Sequence, residues 1–129
     1  MRACGEVRGS DMPVSILVAD DDKAMLNLYS RIFSGKAYSI VMAESFTAAA
    51  ELIRNNDYDL LVTDLMFPDG VGTELVKLFE KKRAGAKSLV VTGSAPLDGS
   101  LMQSGAAAYF EKPFKVERFM AAVENAVGV

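Results

Sequence analysis

The chain contains no histidine and a single cysteine, Cys4, among its 129 residues. Without an imidazole it cannot assemble a Ser-His or Cys-His nucleophile pair, an imidazole zinc site or a phosphohistidine carrier. Cys4 has no second thiol with which to close an internal disulfide, and it stands in a polar N-terminal stretch that gives no support to a structural role. No apolar run approaches the length of a membrane span, and the opening MRACGEVRGSDM has no hydrophobic segment of the kind a secretory signal needs. A cytoplasmic protein with no membrane partner is the expectation. A large excess of one charge is missing too: 14 Lys plus Arg against 17 Asp plus Glu leave a net charge of −3, which favours no direct contact with nucleic acid. With 50% hydrophobic and 24% charged residues, the chain is apolar enough to build one core and too short for two.

Residues 1–13 carry Gly5, Gly9, Ser10 and Pro13 and read as a flexible tail, leaving 14–129 as the domain. From Val14 onward, apolar runs of strand length alternate five times with segments of helical period. ILVA at 16–19 is followed by Met25, Leu28, Tyr29 and Ile32 at helical spacing; SIVMA at 39–43 by a helix around Ala48, Ala49, Leu52 and Ile53. DLLVTD at 59–64 precedes Leu75, Val76, Leu78 and Phe79. SLVVT at 88–92 precedes a segment, 97–103, that Pro96 and Gly99 make a poor helix, and AAAYFE at 106–111 precedes Val116, Phe119, Met120, Val123 and Val127. Near-continuous apolar strands alternating with helices predict an α/β fold, a doubly wound parallel sheet covered on both faces.

In such a sheet the ligand site lies beyond the carboxyl ends of the strands, near the point where strand order reverses. The residues leaving the strands there are Asp20, Asp21 and Asp22, then Glu44, Asp64, Thr92 and Lys112. Under strand order 2-1-3-4-5, the first and third strands are neighbours, which sets Asp20 and Asp21 about 5 Å from Asp64. Carboxylates that close repel by about 4 kcal/mol per pair at about 4 Å and an effective dielectric of about 20. Either one stays protonated or a divalent cation sits among them, and an all-oxygen set favours Mg²⁺, with Mn²⁺ as an alternative. Lys112 and the Thr92 hydroxyl add a positive charge and a donor at the same edge, which together make a site for a phosphoryl group. Asp22, ahead of Lys23 and Ala24, reads as the N-cap of the first helix, with a one-residue shift making it a ligand as the other reading.

ILVADDD at 16–22, LLVTDLMFPDGVG at 60–72, VVTGS at 90–94 and YFEKPF at 109–114, in this order and at these strand ends, resemble the receiver domain of two-component response regulators, the CheY-like family. The resemblance runs from Val14 to Gly128 and implies a flavodoxin-like (βα)5 three-layer sandwich. It also implies that Asp64 is the phosphoacceptor, forming an aspartyl phosphate with the phosphoryl group of a phosphohistidine on a sensor histidine kinase or phosphotransfer protein. In the same way it makes Asp20 and Asp21 the acidic pair for the metal, with Asp64 and the backbone carbonyl of Met66. Thr92 and Tyr109 are implied as the switch pair, and Lys112 as the cation beside the acyl phosphate, aimed by a cis bond to Pro113. Met66 and Ser94 occupy the positions that modulate hydrolysis of the phosphate. A thioether at Met66 cannot help orient water, so self-dephosphorylation is not expected to be fast.

The family's usual downstream face is built from the fourth helix, fifth strand and fifth helix. The weak 97–103 segment, and a last helix without the arginine-rich pattern of DNA-binding regulators, argue against the usual homodimer there. The basic group Lys77, Lys81, Lys82, Arg83 and Lys87 reads as solvated surface trailing the third helix, and Asp69-Gly70 reads as a turn. The chain ends just past its last helix, so a single-domain regulator or a receiver cut from a hybrid histidine kinase or multidomain regulator are both consistent. Asp20-x-Asp22 also resembles the first motif of haloacid-dehalogenase-type phosphatases, with Asp20 as nucleophile, but the cap and later acidic motif are missing. A flavodoxin-like electron carrier would need a phosphate-binding loop where DDDK stands, so a phosphoacceptor module rather than an enzyme is expected.

Overall fold

Apolar runs without polar alternation need cover on both faces, and in the computed structural model, which describes residues 13–93 and 105–128, they form the central layer. In chain order the elements are β1 (Val14–Ala19), α1 (Lys23–Phe33), β2 (Tyr38–Ala43), α2 (Phe46–Asn55), β3 (Leu60–Asp64), β4 (Met66–Phe67), β5 (Gly70–Val71), α3 (Gly72–Lys82), β6 (Lys87–Thr92), β7 (Ala108–Glu111) and α4 (Val116–Val127). Five of the strands make one parallel sheet in the order β2-β1-β3-β6-β7, the arrangement expected from the sequence when the short β4–β5 pair is set aside. The expected tail before Pro13, Ser94 and the weak 97–103 segment lie outside the described residues.

Alternation along each central strand divides the core. Leu17, Ala19, Leu61 and Val90 face α2 and α3, while Ile16, Val18, Leu60, Val62, Leu89 and Val91 face α1 and α4. On the second face an aromatic cluster ties α1 to α4: Phe119 packs against Tyr29 at 5.7 Å between ring centroids, Phe33 at 6.1 Å and Phe110 at 5.7 Å. Among the described residues no helix is long and apolar enough to cross a membrane.

Two features go beyond the sequence reading. The Asp69-Gly70 turn lies inside a small antiparallel hairpin in which Met66 faces Val71 and Phe67 faces Gly70. Two-residue strands are too short for an alternation pattern to register. Nor is the basic group simply solvated: Lys82 Nζ donates to the carbonyls of Ile53 (2.7 Å), Arg54 (3.1 Å) and Asn56 (2.5 Å) at the end of α2. Arg83 donates to the Tyr58 carbonyl at 3.1 Å and pairs with Asp59 at 3.4 Å. Lys82 therefore satisfies carbonyls that the last turn of a neighbouring helix leaves unpaired.

The opposite end of α2 is closed by carboxylate and hydroxyl. Ser45 Oγ accepts from the Ala48 N–H at 3.0 Å, and Asp69 accepts from the Phe46 N–H (3.0 Å), the Thr47 N–H (3.0 Å) and the Thr47 hydroxyl (2.8 Å). The bonds from Thr47 and Phe46 hold the Asp69 carboxyl below its ordinary range. A lowered carboxylate contributes stability that is complete above its ordinary value and is lost as pH falls through the lowered one. Asp69→Asn should therefore flatten the acid limb of the stability–pH curve, measured by urea unfolding between neutral pH and pH about 3, while an acid limb of unchanged slope would count against the clamp.

Candidate functional site

The β1–β3 register sets Ala19 opposite Thr63, so the next residues, Asp20 and Asp64, leave adjacent strands side by side. Asp20 is fully buried. Its main-chain N–H donates to the Ala43 carbonyl at 3.0 Å, and its Oδ1 accepts from the Asp22 N–H at 2.9 Å. That second bond closes the tight turn into α1, where Asp22 caps the helix by accepting from the Ala24 N–H at 2.9 Å. Asp21, between them, is exposed. One ligand atom from each of Asp20, Asp21 and Asp64 lies within 4.8 Å of the others, and Asp22 is not part of that group. A divalent cation fits this all-oxygen set, which matches the preference of hard ions.

Lys112 reaches the cluster from the end of β7. Its Nζ lies 3.1 Å from Asp20 Oδ2 and 3.5 Å from Asp64 Oδ2. Its main-chain N–H donates to the Thr92 carbonyl at 2.8 Å, and the Lys112–Pro113 peptide bond is cis. Burial alone would lower the lysine, but the hydrogen bond from its ammonium to Asp20 and the charges of Asp20 and Asp64 outweigh it and hold Lys112 above its ordinary value. Burial is also the chief reason that the Asp20 carboxyl is raised, against the bonds from Asp22 and Lys112 that favour its charged form. Asp64 retains a side chain 12% exposed, its Oδ1 accepting from the Leu65 N–H at 2.7 Å. Asp64 is thus less enclosed than Asp20, and Asp21 is the most exposed of the three.

Thr92 is buried at the end of β6 and Tyr109 is half-buried on β7. Val90 pairs with Tyr109 and Thr92 with Glu111, so Thr92 and Tyr109 are diagonal neighbours on one sheet face, the face that carries α3. Met66 is 56% exposed on β4, two residues beyond Asp64. A concavity of about 410 Å³ at the opposite edge of the sheet, lined in part by Asp59, Arg83 and Lys87, holds no such carboxylate cluster.

Three site-supporting residues escaped sequence reasoning. Gly72 donates its N–H to the Leu65 carbonyl at 2.6 Å, and a Cβ placed on it would fall 1.9 Å from the Asp64 carbonyl oxygen. Tyr29 is buried beneath the site and stacks on Phe114, two residues past Lys112, at 6.4 Å between centroids. Burial first, and then the charges of Asp20 and Asp64, hold its hydroxyl well above its ordinary value. Asp69, read as a turn residue, clamps α2. Helical spacing marks Tyr29 as core, but no pattern distinguishes Gly72 from other turn glycines.

Residues 16–124 match the response regulator receiver domain family. The chain belongs to that family. It is 34% identical over 112 residues to the response regulator MprA of Mycobacterium sp. (strain KMS), a match covering 85% of this chain and 49% of that protein. Identity to the transcriptional regulatory protein GlrR of Escherichia coli (strain K12) is 27% over 120 residues, covering 92% of this chain and 27% of that protein. The chain thus spans about half, or less, of the length of these relatives. The CheY-like receiver domain from Methanospirillum hungatei JF-1 superposes with a TM-score of 0.83 at 30% identity, covering 90% of this chain and 94% of that one. The response regulator TrrA of Thermotoga maritima, solved in complex with Mg²⁺-BeF, gives 0.79 at 26% identity, covering 88% and 98%. This is a two-component receiver domain, a signalling unit whose family works with histidine kinases.

The Gly72 contact gives a direct test of how tightly the loop beyond Asp64 is packed. Gly72→Ala should cost on the order of 3 kcal/mol in unfolding free energy, because the added methyl meets main chain that cannot rotate away; a variant that melts like the parent would contradict it.

Proposed function

We propose that Asp64 accepts a phosphoryl group from a phosphohistidine of a sensor histidine kinase or phosphotransfer protein. The observation that carries this is the Lys112 ammonium set between a buried Asp20 and a less enclosed Asp64, with Asp21 completing the carboxylate group. An Asp64 carboxylate oxygen attacks phosphorus, the P–N bond to the donor's imidazole breaks, and the bonding pair leaves with that nitrogen. Lys112 faces the charge that gathers on the phosphoryl oxygens, and the Thr92 hydroxyl reaches the same group. Asp20, Asp21, Asp64 and the Met66 carbonyl would hold Mg²⁺, or Mn²⁺ in its place. When bound, the cation offsets both the carboxylates and the phosphoryl oxygens.

Thr92 and Tyr109 share a face on adjacent strands, which supports a switch in which the hydroxyl moves toward the phosphoryl group and the ring follows. The change would be read by a protein partner on the side of the sheet that carries β7 and α4. The greater length of the relatives favours a second setting for the same chemistry, a receiver that acts within a multidomain regulator or hybrid kinase. Asp20 as a phosphatase nucleophile is disfavoured by its burial and by hydrogen bonds on both oxygens.

Incubated with Mg²⁺ and acetyl phosphate, the protein should be labelled on Asp64, with no label in Asp64→Asn and a rate reduced about a hundredfold in Lys112→Met. Label on Asp20, or steady turnover of phosphate esters, would overturn the assignment. Met66 and Ser94 are the modulating positions of this proposal. Met66→Asn, whose amide can orient water, should shorten the lifetime of the phosphoprotein in a decay assay, and an unchanged lifetime would remove Met66 from that role.

A further inference from the structure

The hairpin that follows the phosphoacceptor is too small to hold its own shape. Strands of two residues each offer one or two ladder bonds, and even longer isolated hairpins are marginal in water. Its fixed position must come from other contacts, and those contacts converge on one place. Phe67 is buried and meets the Phe46 ring edge-on, with centroids 6.5 Å apart at 67°. Asp69 accepts three hydrogen bonds from Phe46 and Thr47 at 2.8–3.0 Å. Gly70 lies so close to Phe46 that an added Cβ would fall 2.3 Å from the ring. Three of the four residues from Phe67 to Gly70 thus fasten onto the first turn of α2. Met66 and Val71 face each other on the outside.

We infer that the first turn of α2 positions the loop beyond Asp64, and that Asp69 is the positioning residue that holds the Met66 carbonyl where a divalent cation binds. The inference rests on the phosphoacceptor reading above. A backbone ligand two residues from Asp64 contributes to affinity in proportion to how firmly it is held beforehand. Asp69 supplies that firmness without touching the cation, because helix N–H groups and a hydroxyl fix both of its oxygens. Coupling of this kind is reciprocal, so cation binding should in turn tighten the first turn of α2, some 20 residues away in sequence.

The test measures Mg²⁺ binding to the full chain by calorimetry, together with amide hydrogen exchange at residues 46–48 and 66–71. In the parent protein Mg²⁺ should slow exchange in both segments. In Asp69→Ala, Mg²⁺ affinity should fall about tenfold, exchange at 66–71 should rise, and Mg²⁺ should no longer protect 46–48. Thr47→Val removes one of the three bonds while keeping the helix, and about a threefold loss of affinity is expected; it decides the matter if Asp69→Ala does not fold. Affinity equal to that of the parent in a folded variant overturns the positioning role and leaves the phosphoacceptor reading standing. A parent protein that binds no Mg²⁺ overturns both.

Discussion

The arrangement depends on one electrostatic contact, the Lys112 ammonium between Asp20 and Asp64. A parallel sheet delivers two acidic strand ends to adjacent positions, and their mutual repulsion opposes the very register that buries the core. Lys112, brought back across 92 residues of sequence from Asp20, turns that repulsion into attraction at distances of 3.1 and 3.5 Å. The lysine is held by its own N–H on Thr92 and by Phe114, which lies against Tyr29 of α1. Core packing on the α1–α4 face and charge geometry at the strand ends are therefore one structure. Asp20 is enclosed and satisfied by Asp22 and Lys112; Asp64 is less enclosed.

The other sheet face is organised around α2. Asp69 meets its amino end and Lys82 its carboxyl end, each sign matched to the partial charge of that terminus. Both residues come from the next βα unit, Asp69 ahead of α3 and Lys82 at its last position. The helix is thereby joined to the stretch that begins at Asp64, and Gly72, with no room for a side chain against the Asp64 carbonyl, closes the loop tightly enough for Asp69 to reach. Such a join ties the loop beyond Asp64 to a helix of the preceding unit.

Much of this was legible beforehand because parallel strands buried on both faces write themselves as unbroken apolar runs, and because the residue after each run marks the carboxyl edge. Asp20, Asp64, Thr92 and Lys112 were found that way, and Asp22 was found as a cap from its place before α1. What could not be read shares a physical cause: it depends on contacts between segments that have no fixed spacing. Asp69 looks like any turn aspartate until α2 is beside it. Lys82 belongs by sequence to its own helix, yet it serves the end of another. Tyr29 carries the same helical-period signal as Leu28, and nothing local says that its hydroxyl feels the charges of Asp20 and Asp64.

The sequence by itself determined a parallel sheet covered on both faces and the chemical types gathered at its edge, since hydrophobic period and the placement of acids are properties of the local chain; its strand order came with the resemblance to receiver domains. The absence of histidine likewise determined that these 129 residues supply no imidazole to the site. Tertiary structure decided which carboxylate is most enclosed, which cation neutralises them, and which helix supports the loop beyond Asp64. Those outcomes turn on burial and on distances of a few ångströms between residues far apart in the chain, quantities that exist only once the sheet has closed its register and the helices have packed upon it.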